Sequence, residues 1–228
     1  MQQLPLGVRL RERASFEAFL AGDNLQAVAR LQAAAAGARG VVWLWGAPGC
    51  GRTHLLQAVC GGSAAELRAS YLPLADLRAA GPDVLAGADR LDLMCLDDLD
   101  QVVGDLEFER RLFSVYRDFD ERRAGLVVSA AAPPAACRWS LADIGSRFGA
   151  SEVFQVHPLD EDQQVEALRL RATLRGFDLP EETARYLQRR FTRDMSSLCA
   201  LLERIDTAAL SAQRRVTVPF IRETLGVP

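Results

Sequence analysis

The run Gly46-Ala47-Pro48-Gly49-Cys50-Gly51-Arg52-Thr53 brings together residue types suited to holding phosphate. It follows the pattern G-x-x-x-x-G-K-[ST], with arginine in the lysine position. Glycines permit a tight turn whose N–H groups converge on an anion, and a helix starting behind the turn adds partial positive charge. Lysine is a compact point charge that reaches between β- and γ-phosphates, whereas arginine is a longer planar fork. The loop therefore predicts a nucleotide that is bound but poorly turned over. The alternative is a Gly-rich strand–helix turn with no ligand. Cys50 reads as a small loop filler.

Two carboxylates, Asp97 and Asp98, end an apolar run downstream. Such a pair closes a turn in many proteins. Beside a phosphate loop, one can hold Mg²⁺, directly or through water, and the other can orient an attacking water. Arg147, in Gly145-Ser146-Arg147-Phe148, has two readings. It can pair with Asp143 at i,i+4 on an exposed turn. It can also be an arginine finger offered to a neighbour's γ-phosphate, worth ~10³–10⁵ in rate. Arg193 opens a helix and is either solvated or turned across a domain junction to the nucleotide. Gln3-Leu4-Pro5-Leu6 is too short to build a core. It is either disordered or a peptide that docks in an apolar groove with its amide hydrogen-bonded. His54 and His157 are single, which suits structural roles better than catalysis.

These residues need a scaffold of strands and helices. Val41–Trp45, before the loop, has the character of a strand, with Trp43 and Trp45 in the core, and Thr53–Cys60 is helical in pattern. Further strands are expected at 69–74, 91–98, 125–129 and 153–156. An amphipathic helix is expected at 105–122, and Asp23-Asn24 should cap one running to about Ala36. Alternation of strand and helix implies a parallel sheet covered on both faces. Beyond 158 only helical periodicity remains, over 160–174, 181–191, 194–213 and 218–225. Gly176 should end the first of these, Pro180 start the second and Thr217 cap the last. The expected division is a tail at 1–15, an α/β nucleotide-binding domain at 16–158 and an all-helical domain at 159–228.

Bulk properties agree with this division. The 228 residues carry a net charge of −3, which gives no polyanion-binding signature. The five cysteines are scattered, without metal-ligand spacing, as suits a reducing compartment. No apolar stretch reaches membrane-spanning length, so a cytoplasmic protein is expected.

In this order, the motifs resemble the ATPase module of the DnaA-type replication initiators, within the AAA+ superfamily. They are most similar to the DnaA regulatory inactivator, or Hda, family. The resemblance rests on the Gln3-Leu4-Pro5-Leu6 tail, Phe19 with Gly22-Asp23-Asn24, the Arg52 loop and Asp97-Asp98. It continues through Ser146-Arg147, Leu174 to Pro180 and Arg193-Asp194-Met195, and ends at Thr217-Val218-Pro219-Phe220. It implies an AAA+ P-loop domain with a five-stranded parallel sheet, followed by a small helical lid. It also implies a negative regulator of chromosomal replication initiation, with ADP or a related adenine nucleotide and Mg²⁺ as cofactors. The nucleotide would meet Gly46, Pro48, Gly49, Cys50, Gly51, Arg52, Thr53 and His54, with Phe19, Asp23 and Asn24 near base and ribose and Arg193 as lid sensor. Thr53, Asp97 and Asp98 would hold the metal. The tail residues Gln3, Leu4, Leu6 and Val8 would bind the polymerase sliding clamp, associating the protein with the nucleoid. Arg147 would be presented to ATP on the DnaA initiator. A homo-oligomer is compatible with the family, and no DNA-binding helix-turn-helix is expected.

Two positions depart from the family pattern. The polar sensor ending the fourth strand falls on Ala131, with Ser129 a weak substitute, and the fifth tail position is Gly7 where a bulkier residue is usual. Two rival functions stand beside the adaptor: an autonomous AAA+ ATPase such as a helicase loader, and a clamp-tethered module without catalysis.

Overall fold

The computed structural model describes residues 14–191, 194–212 and 216–226. A single-turn 3₁₀ segment at Gly22–Asn24 leads into α1 (Leu25–Ala35), whose Ala27, Val28, Leu31, Ala34 and Ala35 form one buried stripe. β1 (Gly40–Trp45) delivers the chain to the phosphate loop, and α2 (Arg52–Gly61) leaves it. β2 (Ala69–Pro73) is followed by α3 (Leu74–Leu77) and three 3₁₀ turns up to Arg90. Then come β3 (Leu93–Asp97), α4 (Leu106–Arg122), β4 (Gly125–Ala130), α5 (Ala142–Gly149) and β5 (Glu152–Gln155). Among the described residues four helices follow: α6 (Glu161–Leu174), α7 (Glu181–Arg190), α8 (Met195–Ala212) and α9 (Val218–Leu225).

The five strands form one parallel sheet in the order β2-β3-β4-β1-β5. Interior strands β3 and β4 are buried at every residue, as expected where helices cover both faces. Alternate residues feed separate cores. Trp43, Met94, Leu96, Leu126 and Val128 pack with Phe108, Leu112 and Phe119 of α4 and Ile144 and Phe148 of α5. Val42, Leu44, Cys95 and Val127 pack with Leu31 of α1 and Leu55, Leu56 and Val59 of α2. Trp43 is fully buried in the first core and its Nε1–H donates to the Ala132 carbonyl at 3.0 Å.

The C-terminal helices have a core of their own, built from Val165, Leu168, Leu187, Leu198, Leu202, Ile205 and Phe220. Asp160 and Gln163 close a capping box on α6, Gly176 follows it with φ +85°, and Thr217 caps α9. Among the described residues no helix is long and apolar enough to cross a membrane.

One capping expectation is corrected. Asn24 does not cap α1, because its side chain spans to the far end of β5. There it accepts from the His157 N–H at 2.7 Å and donates to the His157 carbonyl at 3.0 Å. A buried amide satisfied on both sides ties the start of the chain to the entrance of the lid.

Candidate functional site

The phosphate loop joins the C-terminal end of β1 to the N-terminus of α2, at the edge where parallel α/β sheets bind ligands. Gly51 is the N-cap of α2 and lies at φ +103°, a conformation L side chains avoid. A Cβ on Gly51 would also stand 2.6 Å from the Phe19 ring, so glycine is required twice over. Among the described residues, the backbone N–H groups of Gly49, Gly51 and Thr53 have no partner, while that of Arg52 turns to the Cys50 sulfur. That is the donor cluster an anion would meet at a helix N-terminus. Pro48 and Thr53 are exposed, and Cys50 is buried, which pushes its thiol pKa up.

Arg52 does not extend freely from the loop. Its Nη1 donates to the Gly46 carbonyl at 2.8 Å and to the Ala130 carbonyl. Its Nη2 pairs with Asp98 Oδ1 at 3.4 Å. The fork thereby joins the loop, the end of β4 and the turn after β3.

Asp97 and Asp98 have distinct environments. Asp97 is buried, its Oδ1 accepting from the Ser129 hydroxyl and its Oδ2 from the Tyr71 hydroxyl at 2.7 Å. Burial first, and then the Asp97 charge, push the Tyr71 phenol well above its ordinary range, so it stays a donor. Asp98 turns out of the strand in the left-handed region at φ +52°, and its N–H donates to Ser129 Oγ at 3.0 Å. Burial and the Asp97 charge raise the Asp98 carboxyl, while Arg52 works against that rise. The expected Mg²⁺ site of Thr53, Asp97 and Asp98 does not fit this donor set. Both Asp97 oxygens already accept hydroxyl protons, and Asp98 already faces a cation. Ser129 is likewise no substitute sensor, being fully engaged between the two aspartates. At the sensor position itself, Ala131 contributes only its N–H, donated to Asp100 Oδ1 at 3.0 Å.

Phe19 lies against Gly51 and stacks on His54, with ring centroids 5.7 Å apart. His54 Nε2 meets the Ser15 carbonyl at 2.9 Å and its Nδ1 meets Arg171 Nη2, on α6, at 3.1 Å. The neutral tautomer with hydrogen on Nε2 satisfies both contacts. His54 thus belongs to the junction between loop and lid. Asp194, at the start of α8, brings its Cβ to 3.6 Å from the position a Cβ on Gly49 would take. Asp23 is exposed in the 3₁₀ turn. Arg193, Gln3, Leu4, Leu6 and Val8 lie outside the described residues.

Arg147 stands apart from the loop, in the last turn of α5. Among the described residues no ion pair joins it to Asp143. Its guanidinium lies instead over the Phe113 ring at 5.0 Å and the Tyr116 ring at 5.8 Å, and Tyr116 donates to its carbonyl at 3.2 Å. An aromatic seat holds an arginine without neutralising its charge. The start of α5 is held by a residue the sequence did not single out. Glu109 on α4, fully buried, accepts from the N–H groups of Gly104 at 2.7 Å, Ser140 at 3.1 Å and Leu141 at 2.6 Å. Gly145 lets α5 approach Trp139, where a Cβ would come within 2.5 Å of the indole.

Comparison with known proteins places this geometry. Residues 160–225 match the family model described as "Hda, lid domain". The chain is similar to domain III of the Thermotoga maritima replication initiation protein DnaA. That match has 19% identity and TM-score 0.77, over 94% of this chain and 96% of the other. AMPPCP-bound DnaA from Aquifex aeolicus matches with 18% identity and TM-score 0.73, over 89% and 68%. Thermotoga maritima RuvB, a Holliday junction branch migration motor, matches with 16% identity and TM-score 0.59, over 93% and 73%. At these identities the structural likeness establishes a shared fold: a five-stranded parallel sheet covered by helices, with a helical domain after it.

Proposed function

We propose that the chain, whose residues 160–225 match the Hda lid model and whose fold is that of DnaA domain III, is an ADP-bound negative regulator of chromosomal replication initiation. It docks on the DNA-loaded sliding clamp through Gln3, Leu4, Leu6 and Val8, and presents Arg147 to ATP held by the DnaA initiator. The protein then works in the cytoplasm, at the nucleoid, through the clamp.

The observation that carries this reading is the seat of Arg147. Its charge rests on two aromatic faces and no carboxylate among the described residues, on a helix whose start is fixed by Glu109. Such a cation can be transferred to a partner's phosphate without first breaking an ion pair. In the partner's site it would stabilise charge growing on the γ-phosphoryl oxygens as water attacks.

The chain's own nucleotide has a different task. The open N–H groups of Gly49, Gly51 and Thr53 suit a diphosphate, and AMPPCP in the Aquifex aeolicus relative supports adenine as the base. Arg52 is held by loop and strand carbonyls and Ala131 offers no side-chain donor, so among the described residues the γ-position is poorly equipped for hydrolysis. Phe19 and His54 link loop to lid, so a bound nucleotide would order that junction.

The test measures hydrolysis by the protein alone, by ATP-loaded DnaA alone, and by the two with DNA-loaded clamp. Negligible turnover alone and strong stimulation of DnaA in the full mixture is the expected result. Steady turnover by the isolated protein would favour an autonomous ATPase. Clamp binding without stimulation would favour a tether.

A further inference from the structure

Of the residues that a metal-dependent P-loop site would lend to Mg²⁺, the carboxylates Asp97 and Asp98 are committed to other groups in this protein. Asp97 accepts from Tyr71 and Ser129, one hydroxyl per oxygen, in a position 2% exposed. Asp98 faces the Arg52 guanidinium at 3.4 Å. Ser129 closes the set by also accepting the Asp98 N–H. A dication entering here would have to displace a cation anchored by the Gly46 and Ala130 carbonyls, and strip hydroxyl donors from a buried carboxylate. Both are costly in a poorly solvated site.

We propose that the site takes a nucleoside diphosphate without a divalent cation, the Arg52 guanidinium supplying the positive charge that lysine and metal share in other phosphate loops. The proposal rests on the nucleotide reading above. Of the five N–H donors of Arg52, two on Nη1 and one on Nη2 are used by Gly46, Ala130 and Asp98. Nε–H and the second Nη2–H have no partner among the described residues, and a planar fork with two donors left suits phosphate oxygens. The cluster sets two carboxylates against one guanidinium, and two hydroxyl donors already serve Asp97. Without a metal to bridge β- and γ-oxygens, a third phosphate adds little binding. Preference for the diphosphate follows from the same geometry.

Titration calorimetry on the full chain, freed of nucleotide, tests this with ADP in excess Mg²⁺ and in excess EDTA. The expected dissociation constants agree within about threefold, and an Arg52→Lys variant weakens at least about tenfold on EDTA. Weakening of the wild type by about tenfold or more on EDTA would overturn the proposal. An Arg52→Lys variant indifferent to EDTA would overturn the assignment to Arg52. Absence of ADP binding in both buffers would instead sink the nucleotide reading itself. Should Arg52→Lys not fold, Mn²⁺ paramagnetic resonance on the wild type decides. A protein–ADP mixture that withdraws no more free Mn²⁺ than ADP alone supports the proposal, and one that withdraws more overturns it.

Discussion

Ser129 shows how one hydroxyl can set the geometry of a whole site. It donates to Asp97 and accepts from the Asp98 backbone, so it fixes both the buried carboxylate and the left-handed turn that aims Asp98 at Arg52. Ser129→Ala leaves a buried acceptor and a buried donor unpaired, at a cost of roughly 2 kcal/mol. The melting temperature should fall by roughly 4–8 °C, and ADP should bind more weakly. Scanning calorimetry with and without ADP checks both. Arg147 is the opposite kind of residue, since its aromatic seat is worth only about 0.5–1 kcal/mol. Arg147→Ala should therefore melt within about 3 °C of the wild type. It should lose stimulation of DnaA by over a hundredfold, the consequence of removing ~3 kcal/mol from a transition state. Single-turnover hydrolysis by DnaA on loaded clamp measures this. Undiminished stimulation would return Arg147 to a packing role.

The element that matters most for Arg147 is α5, and its anchor is on α4. Asp105 caps α4 by accepting from the N–H groups of Glu107 and Phe108. One turn on, Glu109 holds two N–H groups at the approach to α5, of Ser140 and Leu141, and that of Gly104 just ahead of its own helix. Glu109→Ala should cost roughly 2–3 kcal/mol, since those donors lose their acceptor in a buried place. It should also lower DnaA stimulation while leaving ADP affinity near normal, because the phosphate loop lies on other elements. Glu109→Gln restores the shape and one acceptor oxygen and should recover part of the loss. Equal damage to ADP binding and to stimulation would show general unfolding rather than a displaced α5.

At the scale of the molecule, two sheet cores and a lid core meet at a few polar links: Asn24 with His157, and His54 with Ser15 and Arg171. The His54–Arg171 link sets α6 beside the phosphate loop, and Asp194, just ahead of α8, approaches Gly49. The proposed clamp contact uses none of them. Gln3→Ala combined with Leu4→Ala should abolish clamp binding, measured by surface resonance on immobilised clamp, while the melting temperature and ADP affinity stay unchanged. Normal clamp binding by the double variant would place the docking surface elsewhere. In the full reaction this variant should lose DnaA stimulation as completely as Arg147→Ala, for a different reason, and the clamp assay separates the two.

Local physics made much of the fold legible from the chain alone. Runs such as Leu93–Leu96 and Leu126–Val128 are too apolar for anything but interior parallel strands, and Gly51, Asp160 and Thr217 mark helix ends by chemistry that acts within a few residues. The phosphate loop and its arginine were visible for the same reason. The stretch from Leu74 to Arg90 was not, because its short helical turns have no period to read. Tertiary structure alone decided what the polar groups do. Asn24 looked like a helix cap and became a tie to His157. Asp97 looked like a metal ligand and became the acceptor for Tyr71 and Ser129. Arg147 had two readings, a pair with Asp143 or a finger, and came to rest on Phe113 and Tyr116. Each of these partners is distant in sequence or on another element. A buried polar group takes the donor or acceptor that packing places beside it, and packing is set by all the elements at once.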